Sequence, residues 1–185
     1  MTPEEFDHHF DRFRSTAFRL EALPVYDVEY ERDEFEAWRR GEPPSERSIR
    51  TDPWLARIAL TTLTGGKRWS RVHVVDEPLS DYLRYELPSY VENQAAGEEI
   101  RIARRADDGR LSELPPDFWL FDAGTPGAYA LEMKYDAAGR WLGAELVTDP
   151  RRLNEYQRIR DLVWALATPL NAYLALSGSL RVVGA

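Results

Sequence analysis

An α+β domain is what this sequence predicts, with a mixed, largely antiparallel sheet of about five strands, a C-terminal meander and helices at both ends. Three observations point there. Apolar residues recur at helical spacing near each end of the chain, short segments between them alternate with period two, and three such segments follow one another closely between Asp117 and Val147.

The chain opens on a helix signal. Thr2 serves as N-cap, Pro3 takes the first helical position and Glu5 closes a capping box, after which Phe6, His9, Phe10 and Phe13 form one face. From Thr16 to Leu23, Phe18 and Leu20 alternate with Arg19 and Glu21, the period of a half-buried strand that Pro24 ends. Phe35 and Trp38 predict a short helix over Asp33 to Arg40, with Gly41 as its stop and a polar loop on to Arg50. Thr51-Asp52-Pro53 repeats the cap-then-proline signal, and Trp54, Leu55, Ile58, Ala59 and Leu63 make a helical stripe that Gly65-Gly66 terminates.

Arg68 to Asp76 reads as a strand, with Val72 and Val74 on one face and Trp69, Arg71 and His73 on the other. Pro78 then opens a helix lined by Leu79, Leu83 and Leu87, which Pro88 is expected to stop. Glu98 to Arg104 alternates again, Ile100 and Ile102 inward against Arg101 outward. Asp117 to Asp122, Ala128 to Tyr135 and Arg140 to Val147 are three further strands. The last two flank Asp136-Ala137-Ala138-Gly139, whose glycine supplies the positive φ of a short hairpin loop. Asp149-Pro150 starts a final helix carrying Leu153, Tyr156, Ile159, Val163, Leu166 and Leu170, which Pro169 ends or kinks. Residues 1–172 are thus expected to form a single domain. The tail from 173 to 185, with Ser177-Gly178-Ser179, is expected to be loosely ordered.

Composition narrows the chemistry. A chain of 185 residues with 43% hydrophobic and 12% aromatic residues can build a substantial core. The absence of cysteine removes disulfides, thiolate nucleophiles and thiolate metal sites, and with no visible signal peptide it leads to the expectation of a cytoplasmic protein. No stretch approaches the roughly 18 apolar residues that span a bilayer. A net charge of −8 and a pI near 5.0 oppose phosphate binding, so no direct nucleic-acid contact is expected.

Motifs for specific chemistries fail on spacing. His8, His9 and His73 are the only imidazoles, and adjacent helical residues such as His8 and His9 point about 100° apart, so no metal site is expected. Thr64-Gly65-Gly66-Lys67 lacks the spacing of a phosphate loop. No cofactor motif is present. Asp117 and Asp122, five apart on an aromatic strand, face opposite sides and read as strand-end caps rather than an acid and base pair.

The strongest polar constellation runs from Glu77 to Glu86, where Asp81 shares a helical face with Arg84 or Tyr85, and Tyr82 shares one with Glu86. Arg71 and Arg101 on neighbouring strands supply cations that could fork onto a carboxylate or phosphate, with Trp119 as an aromatic wall. The competing reading is an ion-pair network tying helix to sheet.

Four segments, Ser15 to Glu21, Arg71 to Glu86, Ala96 to Arg101 and Asp117 to Asp122, carry a resemblance to an uncharacterised family of high-GC bacteria, a domain of unknown function. The resemblance spans most of the chain up to about Tyr173. It implies a neighbourhood of helix-turn-helix regulators, in an arrangement like a toxin with its antitoxin or a regulator with its modulator. The family has no assigned catalytic residues; Arg71, Asp81, Tyr82, Arg84, Glu98, Arg101, Trp119 and Asp122 fall within its characteristic segments and are the candidate ligand- or partner-binding residues.

Two functions follow as expectations. One is a non-enzymatic regulatory partner, or toxin/antitoxin-like protein, that binds a helix-turn-helix regulator. The other is a small-molecule sensor or enzyme built on the Arg, Asp, Tyr and Trp cluster.

Overall fold

The computed structural model describes residues 1–177. Among these, six α-helices surround a seven-stranded mixed sheet that does not close on itself. The elements are α1 (Pro3–Arg12), β1 (Thr16–Glu21), α2 (Arg32–Arg39), α3 (Pro53–Gly65), β2 (Arg68–Val75), α4 (Asp81–Ala96) and β3 (Glu98–Arg104). They are followed by β4 (Phe118–Phe121), β5 (Tyr129–Tyr135), β6 (Trp141–Val147), α5 (Pro150–Leu166), β7 (Thr168–Pro169) and α6 (Leu170–Leu176).

Strand order is β6-β5-β4-β1-β2-β3-β7. The meander β4-β5-β6 is antiparallel as expected, with Gly139 at φ 83° closing the β5-β6 turn. The other half is different: β1, β2 and β3 run parallel. Parallel neighbours need a crossover, and α2 with α3, then α4, supply them. Helices therefore sit between strands as well as at the ends.

The sheet is covered on both faces. On one, Phe18, Leu20, Val72, Val74, Phe118 and Leu120 pack against Tyr156 and Val163 of α5. On the other, two apolar clusters lie side by side. Phe10 and Phe13, at and just beyond the end of α1, join Leu55 and Ile58 of α3 around Trp69, Trp119 and Phe121. Tyr82, Leu83, Leu87 and Tyr90 of α4 join Leu170, Tyr173 and Leu174 of α6 over Ile100 and Ile102. Because β1 is central and covered twice, Arg19 and Glu21 are buried rather than solvent-facing.

Local signals placed most helix starts. Thr2 accepts from Glu5 N and Glu5 answers onto Thr2 N, completing the capping box. Asp52 and Asp149 cap α3 and α5, each followed by proline at the first position. Pro88, by contrast, does not stop its helix: α4 starts later, capped by Ser80, and continues eight residues past the proline to Ala96. Pro88 is exposed and cannot donate to the carbonyl four residues back. Burial of Leu83 and Leu87 before it and Tyr90, Asn93 and Ala96 after it holds the two halves together. Leu63 lies outside the buried stripe of α3 and is 85% exposed.

The last helix is also divided. α5 ends at Leu166, Thr168 and Pro169 pair with Ile102 and Arg101 of β3, and α6 follows. Residues 173–176 are thus helical, while 178–185 of the expected tail lie outside the described residues.

Candidate functional site

Between the two apolar clusters lies a belt of charge. In the parallel β1-β2 register Arg19 sits beside Arg71 and Glu21 beside His73, and period two turns all four onto the face covered by α4. Glu98, the first residue of β3, joins them. Arg19, Glu21, Arg71, His73 and Glu98 are all buried, His73 completely.

Such charges persist inside only when each is paired and hydrogen-bonded. Arg71 donates from Nη1 to Glu21 Oε2 at 2.7 Å and from Nε to Glu98 Oε1 at 2.9 Å. Asn93 of α4 donates to the other Glu98 oxygen at 2.8 Å, and Tyr90 donates to Glu21 at 3.0 Å. Arg19 reaches Glu21 and Asp117 at 3.3 Å each and the Tyr135 hydroxyl at 3.0 Å. Asp117 also accepts from Tyr26 and from the backbone N–H of Ala22. Burial opposes ionisation of Glu21, yet the Arg71 and Arg19 guanidiniums outweigh it and hold the carboxyl far below its usual range. Burial pushes His73 down to about 4, so its ring is neutral at pH 7.

This belt ends at a cleft. On α4, one turn before Tyr90, Glu86 places Oε2 3.8 Å from His73 Nδ1, and the Tyr82 hydroxyl donates to Glu31 at 3.0 Å and to Glu86 at 3.4 Å. Burial first, then repulsion from Glu21, raises Glu86 well above the usual carboxylate range; burial likewise raises Glu31. Both acids line a cavity of about 900 Å³ bounded by α2, the 44–53 loop, the start of α3 and one side of α4. Seven carboxylates line it against two guanidiniums, Arg47 and Arg57, with Trp38, Trp54 and Tyr85 as aromatic wall.

The eight candidate residues do not converge on one cavity. Arg71 and Glu98 meet in the belt, and Tyr82 stands at its junction with the cleft. Trp119 packs in the aromatic cluster, with the Arg19 guanidinium 5.7 Å from its ring. Asp81 and Arg84 form an exposed pair with each other. Arg101 falls opposite Val72 in the β2-β3 register, hence on the far face, where its guanidinium lies 4.2 Å from the Trp164 ring.

Asp122 is a backbone clamp. It adopts φ 51° and accepts from the N–H groups of Arg14, Ser15 and Thr16 at 2.7 to 3.2 Å, fastening the turn between α1 and β1. Asp117, at the other strand end, belongs to the belt rather than to solvent.

Tyr90, Asn93 and Glu31 escaped the sequence reading, Arg19 and Glu21 were read only as the polar side of a half-buried strand, and Glu86 only as the neighbour of Tyr82 on its helix. Charged residues two apart on a strand, as in Arg19 with Glu21 and Arg71 with His73, were the available signal, since complementary charges on neighbouring strands can bury one another. Among the described residues no group of three or more His, Cys, Asp or Glu is arranged to hold a metal ion, and no helix is long and apolar enough to cross a membrane.

No curated protein matches the chain. The model of one family, described as a domain of unknown function (DUF6879), matches residues 4–175. That span takes in the belt, the cleft and all of the described helices but the first residue of α1 and the last of α6, and the chain belongs to this family.

Proposed function

We propose that the protein is a non-enzymatic regulatory partner, in the manner of an antitoxin or a modulator, that binds a helix-turn-helix DNA-binding regulator in the cytoplasm. The observation that supports this reading most is the acidic cleft, whose carboxylates outnumber its cations on a chain of net charge −8. A DNA-binding regulator must carry Lys and Arg to neutralise phosphates. An acidic surface steers such a protein toward itself and competes with DNA for the same cations.

Co-expression with a candidate helix-turn-helix regulator, followed by co-purification, tests the complex. A promoter gel shift with and without the protein tests the consequence. A stable complex and an altered shift are expected; separate elution with an unchanged shift overturns the reading.

A further inference from the structure

We infer that the cleft between α2 and α4 is a receptor for an organic cation, a guanidinium or primary ammonium group, held against the Trp38 and Tyr85 rings by the carboxylates beneath them. This deepens the partner reading, because it names the chemistry by which a basic protein would be gripped.

Most carboxyl groups of the cleft have no cation to answer them. Arg47 is committed to Asp52, with Nε and Nη2 at 2.9 and 2.7 Å, and Arg57 to Asp7 at 2.6 and 2.8 Å. The other five lining carboxylates are Glu31, Glu34, Glu46, Glu86 and Glu92. None has an Arg or Lys within ion-pair distance among the described residues. Glu86 lies beside the neutral His73 ring and takes the Tyr82 hydroxyl on Oε1, but its Oε2 is enclosed without a hydrogen-bond donor, as is Oε2 of Glu92 farther along α4. Burial opposes the ionisation of Glu86 and Glu31, a cost that a cation entering the cleft offsets by supplying donors and charge together.

The wall fits the same guest. Trp38 and Tyr85 stand 6.0 Å apart between ring centroids and inclined at 60°, with Phe35 packed behind both. Aromatic faces attract cations within about 6 Å of the ring centre, and more strongly where water is displaced. Flat guanidiniums and alkylammonium groups share this preference for an aromatic face with acids at the edge. An anionic or neutral ligand would meet repulsion or leave the carboxylates unpaired.

Calorimetry on the 185-residue chain tests this with two probes: agmatine, which carries a guanidinium and a primary ammonium, and a short blocked peptide with one arginine, beside the same peptide carrying glutamine instead. Saturable binding of a cationic probe, with none of the glutamine peptide, is expected. Trp38→Ala and Glu31→Gln should each weaken it by about tenfold or more, while Glu155→Gln, an exposed change on α5 outside the cleft, should leave it unaltered. Circular dichroism of each variant confirms that it folds. Tight binding of the peptide over agmatine identifies a protein partner as the source of the cation; equal binding identifies a free amine. Failure of both probes on the parent chain, or binding that folded cleft variants do not weaken, overturns the inference. A regulator complex that survives the cleft variants also overturns it and leaves the partner reading standing. Probe binding without any regulator complex does the reverse.

Discussion

Tyr26 and Asp117, 91 positions apart in the chain, meet in the interior with the tyrosine hydroxyl donating to Asp117 Oδ2 at 2.5 Å. The same oxygen takes the Arg19 guanidinium, so one carboxylate ties β1, the segment after it and the entrance to β4 together. Burial raises the Asp117 carboxyl above its usual range and the Tyr26 hydroxyl well above its own, and the rise of the hydroxyl keeps the proton on the phenol. Tyr26→Phe preserves the ring and deletes the donor. Urea denaturation should show a loss of about 1 to 3 kcal/mol, the cost of a buried carboxylate that loses one of its donors; an unchanged midpoint would mean that Arg19 and the Ala22 N–H satisfy Asp117 without it.

Arg71 bridges two acids, Glu21 and Glu98, that would otherwise face each other's charge in the interior. Arg71→Met should cost about 3 to 5 kcal/mol, because removal of one member of a buried ion network strands the others. Adding Glu21→Gln to that variant should recover part of the loss. A double variant as unstable as the sum of the two singles would show that the pair is not coupled.

His73 makes stability depend on pH. Its folded pKa of about 4 lies below the unfolded 6.5, so between these values the unfolded chain binds more protons and stability falls as pH falls. The contribution is fully present above pH 6.5 and fades toward pH 4, on the order of 3 kcal/mol in all. His73→Gln should flatten that part of the stability curve relative to the parent chain, as read by denaturation at a series of pH values. Parallel curves would sink the assignment.

Asp122 combines a left-handed backbone with three backbone donors. Burial opposes its ionisation, but those N–H groups hold the carboxyl below the usual range. Asp122→Ala should cost about 2 kcal/mol, through the lost cap and a φ that alanine adopts less readily. Asp122→Asn should cost less. Hydrogen exchange at the amides of Ser15 and Thr16 should quicken in the alanine variant and barely change in the asparagine one.

What the sequence made legible was local. Thr2, Asp52 and Asp149 could be read as caps because a cap acts within three residues, and Gly139 as a turn for the same reason. Sheet order was not readable, because nothing near β1 says that its neighbours lie at 68–75 and 118–121. Pro88 misled because a proline's local cost was outweighed by apolar contacts on both sides of it. The same division runs through the site. Arg71 stood out as a charge on a strand, whereas Arg101, just as prominent, was sent to the far face by a register that only the folded sheet defines. The cleft draws its acids from α1, the turn into α2, α2 itself, the following loop and α4, stretches with no shared periodicity.

The central place of β1 also bears on how the chain is made. It leaves the ribosome early, yet its parallel neighbour is complete only at Val75 and its antiparallel neighbour at Phe121. At a synthesis rate of about 5 to 20 residues per second, the hundred residues between Glu21 and Phe121 take roughly 5 to 20 s. A strand bearing Phe18, Leu20, Arg19 and Glu21 waits with both edges open until Val75 is made and with one edge open until Phe121 is, exposing apolar side chains together with charges whose partners are incomplete. The nascent chain is therefore most vulnerable to misassociation before the meander emerges, and truncations ending ahead of β4 should be the ones that aggregate.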